Sequence, residues 1–481
     1  MKPIRPLTLA ACAALALLGS PAAHAQWLDA YRTQRLVSDT PAAPLLKNAS
    51  CVAEVADRPL ELEDAILQAV CANPQARLAW ANARAQAAAV GVSEAAFLPT
   101  INATGGYERD TLSTTYDYSK IGLGSIRNSQ NSSSKYGMLN LSWVLFDFGK
   151  RSAGLRQARQ LLEAANAAQD DALQTVFFNA AQAYYAVRDA QAALDAARQT
   201  ERIAGESLAE ARAKHDAGAG TLSDQLQAQT AYRRALLDRV SAEGDAHGAD
   251  GALAVAMGLD ANTPLRVAPA PPLAEHDAFA QGVDQLLDEA KARQPKLVAA
   301  RAKLQAAREN VDVVRAQGRP TISLVGSLSQ NNPSYQQQPQ SVPITASRGS
   351  TIGVQVTIPL FEGFASGYRV AQAQAQADAR EAELRNTELQ VSLEVWKSYQ
   401  SVQTDTANLD NSHALLADAQ RALDIARGRY KAGVGTFTEL QDTQAALADA
   451  RKQRVLAVSK WRTSRLRLAA SLGNLGLWSV Q

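Results

Sequence analysis

The segment "YKAGVGTFTELQDTQ", Tyr430 to Gln444, sets a Gly-x-Gly-Thr turn inside an alanine-rich run that otherwise favours helix. A near copy, "KHDAGAGTLSDQLQAQ", occupies Lys214 to Gln229. Long polar helical runs flank both, so each turn is expected to reverse an αα-hairpin. Gly218, Gly220, Gly433 and Gly435 supply positive φ where the reversal needs it. A phosphate-cradling loop competes with this reading, because helix N-termini attract anions. It fails on context: no strand precedes either turn and no lysine follows the glycines.

The turns belong to a longer duplication. Gly218 and Gly433 differ by 215, as do Leu145 and Leu360, Tyr184 and Tyr399, Arg212 and Arg427, and Gly258 and Gly473. Nearer the start of each half the offset is 221: Pro74 answers Pro295, and Pro99-Thr100-Ile101 answers Pro320-Thr321-Ile322. The six-residue difference falls between Ile101 and Leu145, in a Gly-, Ser-, Asn- and Tyr-rich stretch where a loop can absorb length. The expected order is a segment 26–59, a first repeat 60–261, a Pro-rich linker 262–278, a second repeat 279–475 and a tail 476–481. Within the repeats, β-hairpins are placed at 99–148 and 320–361 and tip turns at 216–222 and 431–437.

Each repeat opens with a helix, Gln75 to Phe97 or Lys296 to Gln317, that Pro99 or Pro320 ends. Alternating stretches follow. In "TIGVQVTIP", Ile352, Val354, Val356 and Ile358 lie on one side; in "LNLSWVLF", Leu139, Leu141, Trp143 and Leu145 do the same. Period two means strands with one apolar face. Ile101 to Tyr107 and Ile322 to Leu328 are weaker strands of this kind, with Tyr-, Ser- and Asn-rich loops closing the hairpins. Beyond them the chain has no proline from Thr100 to Thr263 or after Leu360. A helix from Gly149 to Lys214 would reach about 100 Å, far beyond a compact globule of this length with its ~23 Å radius of gyration.

The N-terminus, "MKPIRPLTLAACAALALLGSPAAHAQ", has Lys2 and Arg5, an apolar stretch and Ala23-His24-Ala25, the pattern of a signal peptide over 1–25. Leu9-Ala10-Ala11-Cys12 resembles a lipoprotein box, but the apolar run continues past Cys12. No later segment is apolar enough for a membrane helix, so any crossing must use strands. The formal net charge of +2, without a basic cluster, gives no footprint for nucleic acid. Cys51 and Cys71 are then expected to form a disulfide that anchors the N-terminal segment. The five histidines are scattered without metal spacing. No catalytic, cofactor or metal site is expected, and the protein is not read as an enzyme.

The helices are rich in Ala, Gln, Asp and Arg, which suits either a wall wet on both sides or an exposed coiled coil. The strands decide between these. Four strands leave open edges that lipid does not tolerate, so several chains must share one barrel. Two chains give roughly eight strands and three give twelve; a barrel of about eight fills with its own side chains.

Duplicated halves with "LPTI" and "RPTI" opening the strands, "LFDFG" and "LFEGF" closing them, and "AGAGT" and "AGVGT" at the tips resemble the TolC family of outer-membrane efflux proteins. The resemblance runs from about Leu60 to Leu475. It implies a mixed α/β membrane protein: a homotrimer with a twelve-stranded β-barrel, four strands per chain, in outer-membrane lipid, continuing into a long α-helical periplasmic barrel. It also implies export of protein or small molecules, by type I secretion or multidrug efflux, with a periplasmic adaptor and an inner-membrane ABC or proton-driven pump. A periplasmic helical adaptor without a pore is the alternative, and the four strands argue against it. By the same resemblance Glu439 and Asp442 occupy an acidic entrance ring, while Asp224 and Tyr430 tie tip helices together in the closed state. An arginine of the family lock would fall at Gly435. Thr436-x-x-Glu439 and Thr221-x-x-Asp224 also fit ordinary helix caps, whereas Asp442 lies too deep to cap.

Overall fold

The computed structural model describes residues 29–45, 51, 58–122, 124–268, 282–336 and 346–475. The expected signal peptide with Cys12, residues 269–278 of the linker and the tail 476–481 lie outside the described residues. In chain order the elements are a short 3-10 turn (Thr33–Leu36), α1 (Leu62–Ala72), α2 (Pro74–Ala95), β1 (Thr100–Asp117), β2 (Ser125–Phe146), α3 (Lys150–Asp216) and α4 (Leu222–Ala256). The second repeat follows with α5 (Val283–Arg293), α6 (Pro295–Gln317), β3 (Thr321–Gln336), β4 (Ser347–Thr357), α7 (Ala365–Lys431) and α8 (Phe437–Ser471).

The helical parts of the repeats superpose in length. Helices α3 and α7 each have 67 residues, and α4 and α8 each have 35. At ~1.5 Å per residue the long rods run about 100 Å. Helices α4 and α8 stack end to end on α2 and α6. Asn73, the N-cap of α2, accepts from Gln75 N at 2.8 Å and donates to Ala256 O at the end of α4 at 3.1 Å. Gln294 makes the matching join before α6 by donation alone, through Nε2 to Ala470 O and Ser471 O at the end of α8. Gly258 and Gly473, both left-handed, make the joins possible, since a Cβ there would sit 3.0 Å from Ala72 C and Gln294 Cα. The wall of the body is therefore four columns per chain: α4 with α2, α3, α8 with α6, and α7.

The strands form one antiparallel sheet in the order β1-β2-β3-β4. They are much longer than the apolar alternation indicated, with β1 of 18 and β2 of 22 residues, and the Ser/Asn-rich stretch expected as loop is mostly strand. Register puts Ile101, Leu141, Gly326 and Ile352 in one row and Ala103, Leu139, Leu328 and Ser350 in the next. That face also carries Trp143, Leu324 and Val354, which pair in a third row. The opposite face carries Asn102, Asn140, Ser327 and Thr351. One side of the sheet is thus apolar and the other polar, while β1 and β4 each leave one edge unpaired. Beyond Tyr107 and Lys135 the apolar rows end, with Glu108, Arg109, Asp110 and Thr111 opposite Ser134, Ser133, Ser132 and Asn131.

At the base of the sheet the chain turns into each long helix through two left-handed residues, Phe148 and Gly149 in one repeat, Gly363 and Phe364 in the other. Asp147 caps the first elbow, accepting from Gly149 N and from Arg151 N and Nε, the last at 2.8 Å. Lower down, the N-terminal strap 33–45 lies on the body: Trp80 Nε1 donates to Ser38 O, and Gln169 Nε2 to Ser38 Oγ and Pro41 O. The Cys51–Cys71 disulfide joins this N-terminal part to α1. Helix α1 packs Ile66 and Val70 into a core with Leu173, Val176 and Phe177 of α3.

Candidate gate at the helix tips

Both hairpin tips use the same backbone device. Gly218 and Gly433 have φ of +72° and +74°, and the next residues close the turn by donating to Lys214 O (2.8 Å) and Arg429 O (3.0 Å). Gly220 and Gly435 serve a different purpose, because neither has positive φ. A Cβ on Gly220 would lie 3.0 Å from His215 N, and one on Gly435 3.0 Å from Tyr430 N, so these glycines let the chain pass close over the helix it has just left. An arginine at 435 would not fit this turn without a backbone shift. Thr221 and Thr436 are the N-caps, their hydroxyls accepting from Asp224 N and Glu439 N at 3.1 Å each.

Tyr430 is buried, its ring 5.6 Å from that of Phe437 within a core that includes Leu208, Leu423 and Leu440. Lys214 reaches across from the other hairpin, its Nζ 3.4 Å from the Tyr430 ring centre and 2.9 Å from Tyr430 O. Burial, with the charges of Asp224 and Glu210 added, raises the Tyr430 phenol above its ordinary value, so it stays neutral at physiological pH. The hairpins are further joined by Arg427 Nη2 to Glu206 Oε2 at 2.8 Å and Gln444 Nε2 to Ser207 Oγ at 2.7 Å. The Arg427 contact holds the Glu206 carboxyl below its usual range.

Of the acidic residues, Glu439 is half-buried and pairs with Arg429 of its own tip, Nε to Oε1 at 3.4 Å. Asp442 is exposed, one turn further along α8. Asp224 is half-buried at the start of α4. The structure thus brings Tyr430, Asp224 and Glu439 to one end of the body. Sequence reading missed Lys214 and Arg429, whose only signal was their matched place three to four residues before each glycine turn.

Residues 65–259 and 286–474 match the family described as outer membrane efflux protein. The chain belongs to that family. Its two matched blocks coincide with the two repeats. The chain is 34% identical to Protein CyaE of Bordetella pertussis over 87% of its own length and 85% of that protein. It is 27% identical to the pyoverdine export outer membrane protein OpmQ of Pseudomonas aeruginosa, over 87% and 84%. Its fold is that of the MtrE outer membrane channel of Neisseria gonorrhoeae in the open state, with a TM-score of 0.70 and 21% identity over 86% and 89% of the two chains. The protein is an outer-membrane channel component whose sheet belongs in the membrane and whose helices extend into the periplasm, a transport role rather than a catalytic one.

Proposed function

We propose that three copies of this chain close one twelve-stranded barrel and one helical tunnel, docked at its tips to a periplasmic adaptor and an inner-membrane pump, either ABC or proton-driven. The observation that carries the reading is the sheet: an apolar face in register across all four strands, a polar face behind it and two unpaired edges. In lipid such edges must pair with other chains. Purified in detergent from outer membranes, the protein should have three times the protomer mass by light scattering; a stable monomer with its strands intact would sink the proposal. Relatives named for pyoverdine export and for protease secretion support small-molecule and protein cargo alike.

The tips close the periplasmic end. Three chains bring three copies of Asp442 and Glu439 to one mouth, and acidic rings favour cations. Because Arg429 offsets Glu439, Asp442 carries most of the selectivity. In planar bilayers under a salt gradient, Asp442→Asn should move the reversal potential toward zero by more than Glu439→Gln does, and the double variant furthest. Unchanged reversal potential in an assembled double variant would place the selectivity elsewhere.

A further inference from the structure

The charged side chains of the strands are sorted between the two faces of the sheet. Continuous antiparallel register puts Arg109, Arg127, Lys135 and Arg348 on the face that carries Ile101, Leu139 and Ile352. Glu108 and Asp110 lie on the opposite, polar face. Asp117 sits at the hairpin end, where it accepts from Ser119 N at 2.9 Å. Every strand cation thus shares the apolar face, and all four are exposed.

Three of them stand together just beyond the apolar rows. Successive rows on this face read Ala103-Leu139-Leu328-Ser350, then Gly105-Gly137-Gln330-Arg348, then Tyr107-Lys135-Asn332, then Arg109 opposite Ser133. From Ile358 to Arg348 the chain climbs about 34 Å, or about 25 Å once tilted, the height of the apolar band of an outer-membrane barrel. The cations therefore stand at the headgroup level on the side away from the helices, the outer leaflet. Tyr107, 65% exposed in the row of Lys135, is the kind of ring that settles at that boundary.

Below the cations the wall is bare. Gly105 and Gly137 pair directly across β1 and β2 on this face, and neither has positive φ. A Cβ on Gly137 would meet nothing within 4 Å, and one on Gly105 only Tyr136 O at 3.7 Å. Gly106, on the polar face, is different, because the Tyr136 ring covers it and a Cβ there would lie 2.5 Å from Cζ. Glycine weakens a strand, and where neither dihedral nor neighbour requires it, it marks a close approach from outside the chain.

We propose that this collar binds a glycolipid of the outer leaflet that carries more than one phosphate. Phosphate oxygens accept from Arg109, Lys135 and Arg348, while the sugar lies on the bare backbone of Gly105 and Gly137 beside Tyr107. Lys135 and Arg348 stand two strands apart, about 10 Å, which is farther than a single phosphate bridges. No carboxylate interrupts the collar, since Glu108 and Asp110 are behind the sheet. The orientation of the apolar face toward lipid rests on the trimeric barrel proposed above.

The test uses protein extracted from outer membranes in nonionic detergent, washed free of native lipid, titrated with bis-phosphorylated lipid A and read by native mass spectrometry. Lipid A should bind saturably. The same lipid stripped of its phosphates, and phosphatidylglycerol with its single phosphate, should each bind about tenfold more weakly. Arg109→Gln/Lys135→Gln/Arg348→Gln should weaken lipid A by more than about tenfold. Gly137→Leu, which fills the notch and leaves the charges in place, should weaken it about threefold. Glu108→Gln/Asp110→Asn, on the other face, should leave it unchanged. Equal binding of the stripped lipid or of phosphatidylglycerol, undiminished binding by the triple variant or by Gly137→Leu, or an equal loss in the Glu108/Asp110 variant would overturn the proposal. The same spectra report the assembly: an intact trimer without preference for phosphate counts against the collar alone, whereas a monomer counts against the barrel.

Discussion

The two hairpin tips share a backbone and differ in what they hold. At the offset of 215, Lys214 answers Arg429, His215 answers Tyr430, Asp224 answers Glu439 and Gln227 answers Asp442. Left-handed glycines and threonine caps are the same in both, and the turn hydrogen bonds match except for one more at the second tip, Gly435 N to Arg429 O. Yet the second tip has the buried ring and two carboxylates, while the first has the lysine that crosses to that ring. At His215 the first tip has only a ring nitrogen 3.4 Å from Gly220 O. Duplication preserved the geometry of the turn, and divergence divided the contacts between copies, so that each needs the other.

The largest effect that could break this comparison is at Tyr430. Tyr430→Ala removes a buried ring and the seat of Lys214, costing about 3 kcal/mol locally. The resting conductance in planar bilayers should rise several-fold, and proteolysis should begin at the second tip. His215→Ala should cost under about 1 kcal/mol and leave both unchanged. Equal responses would mean that the tips do not divide the work.

The glycines should behave alike instead. Gly220→Ala and Gly435→Ala each force a Cβ against backbone atoms 3.0 Å away, a cost of about 1–3 kcal/mol. Matching losses in thermal unfolding would establish the shared turn, and a clear inequality would show that only one copy uses the close pass.

A smaller effect distinguishes the repeats along the rods. Burial raises the Asp170 carboxyl from 3.8 to about 6, whereas its counterpart at the same offset is the exposed Arg385. The folded value lies above the unfolded one, so the unfolded chain releases its proton first as pH rises. The group therefore costs stability increasingly between about pH 4 and 6, and fully above that. Asp170→Asn should raise the melting temperature at pH 8 and lose that advantage at pH 4; a gain independent of pH would refute the assignment. Smallest of all, Arg429→Gln removes an exposed pair worth about 0.5 kcal/mol and should barely move stability. It should still increase cation preference by freeing Glu439.

Periodicity and punctuation made the body legible. The unbroken 215 offset gave two rods and two short helices, and the two proline-limited helices, Gln75 to Phe97 and Lys296 to Gln317, fall within a residue or two of their observed bounds. The outer halves of the strands were not legible, because from Glu108 to Asp117 no apolar alternation marks them; there the ladder is held by backbone pairing. At the tips, sequence identified the turn but not its contacts. Lys214 and Tyr430 are 216 residues apart, and nothing local announces that a lysine of one hairpin will rest on a ring of the other. Gly220 and Gly435 look the same in sequence as Gly218 and Gly433, although one pair answers a dihedral and the other a distance.

The unequal sheet edges have a consequence for biogenesis. The free edge of β1 is 18 residues long and that of β4 only 11. A ladder between neighbouring chains can be no longer than its shorter partner, so the described part of β4 can match at most 11 residues of β1. Before joining, both edges are adhesive, and a newly exported chain can pair wrongly with any extended segment it meets. Glu108, Arg109 and Asp110 sit near the middle of the long edge, where clustered charge discourages such mispairing without touching the apolar rows at its base. At the other end Ile101 and Ala103 offer neighbouring chains an uncharged stretch of the same edge.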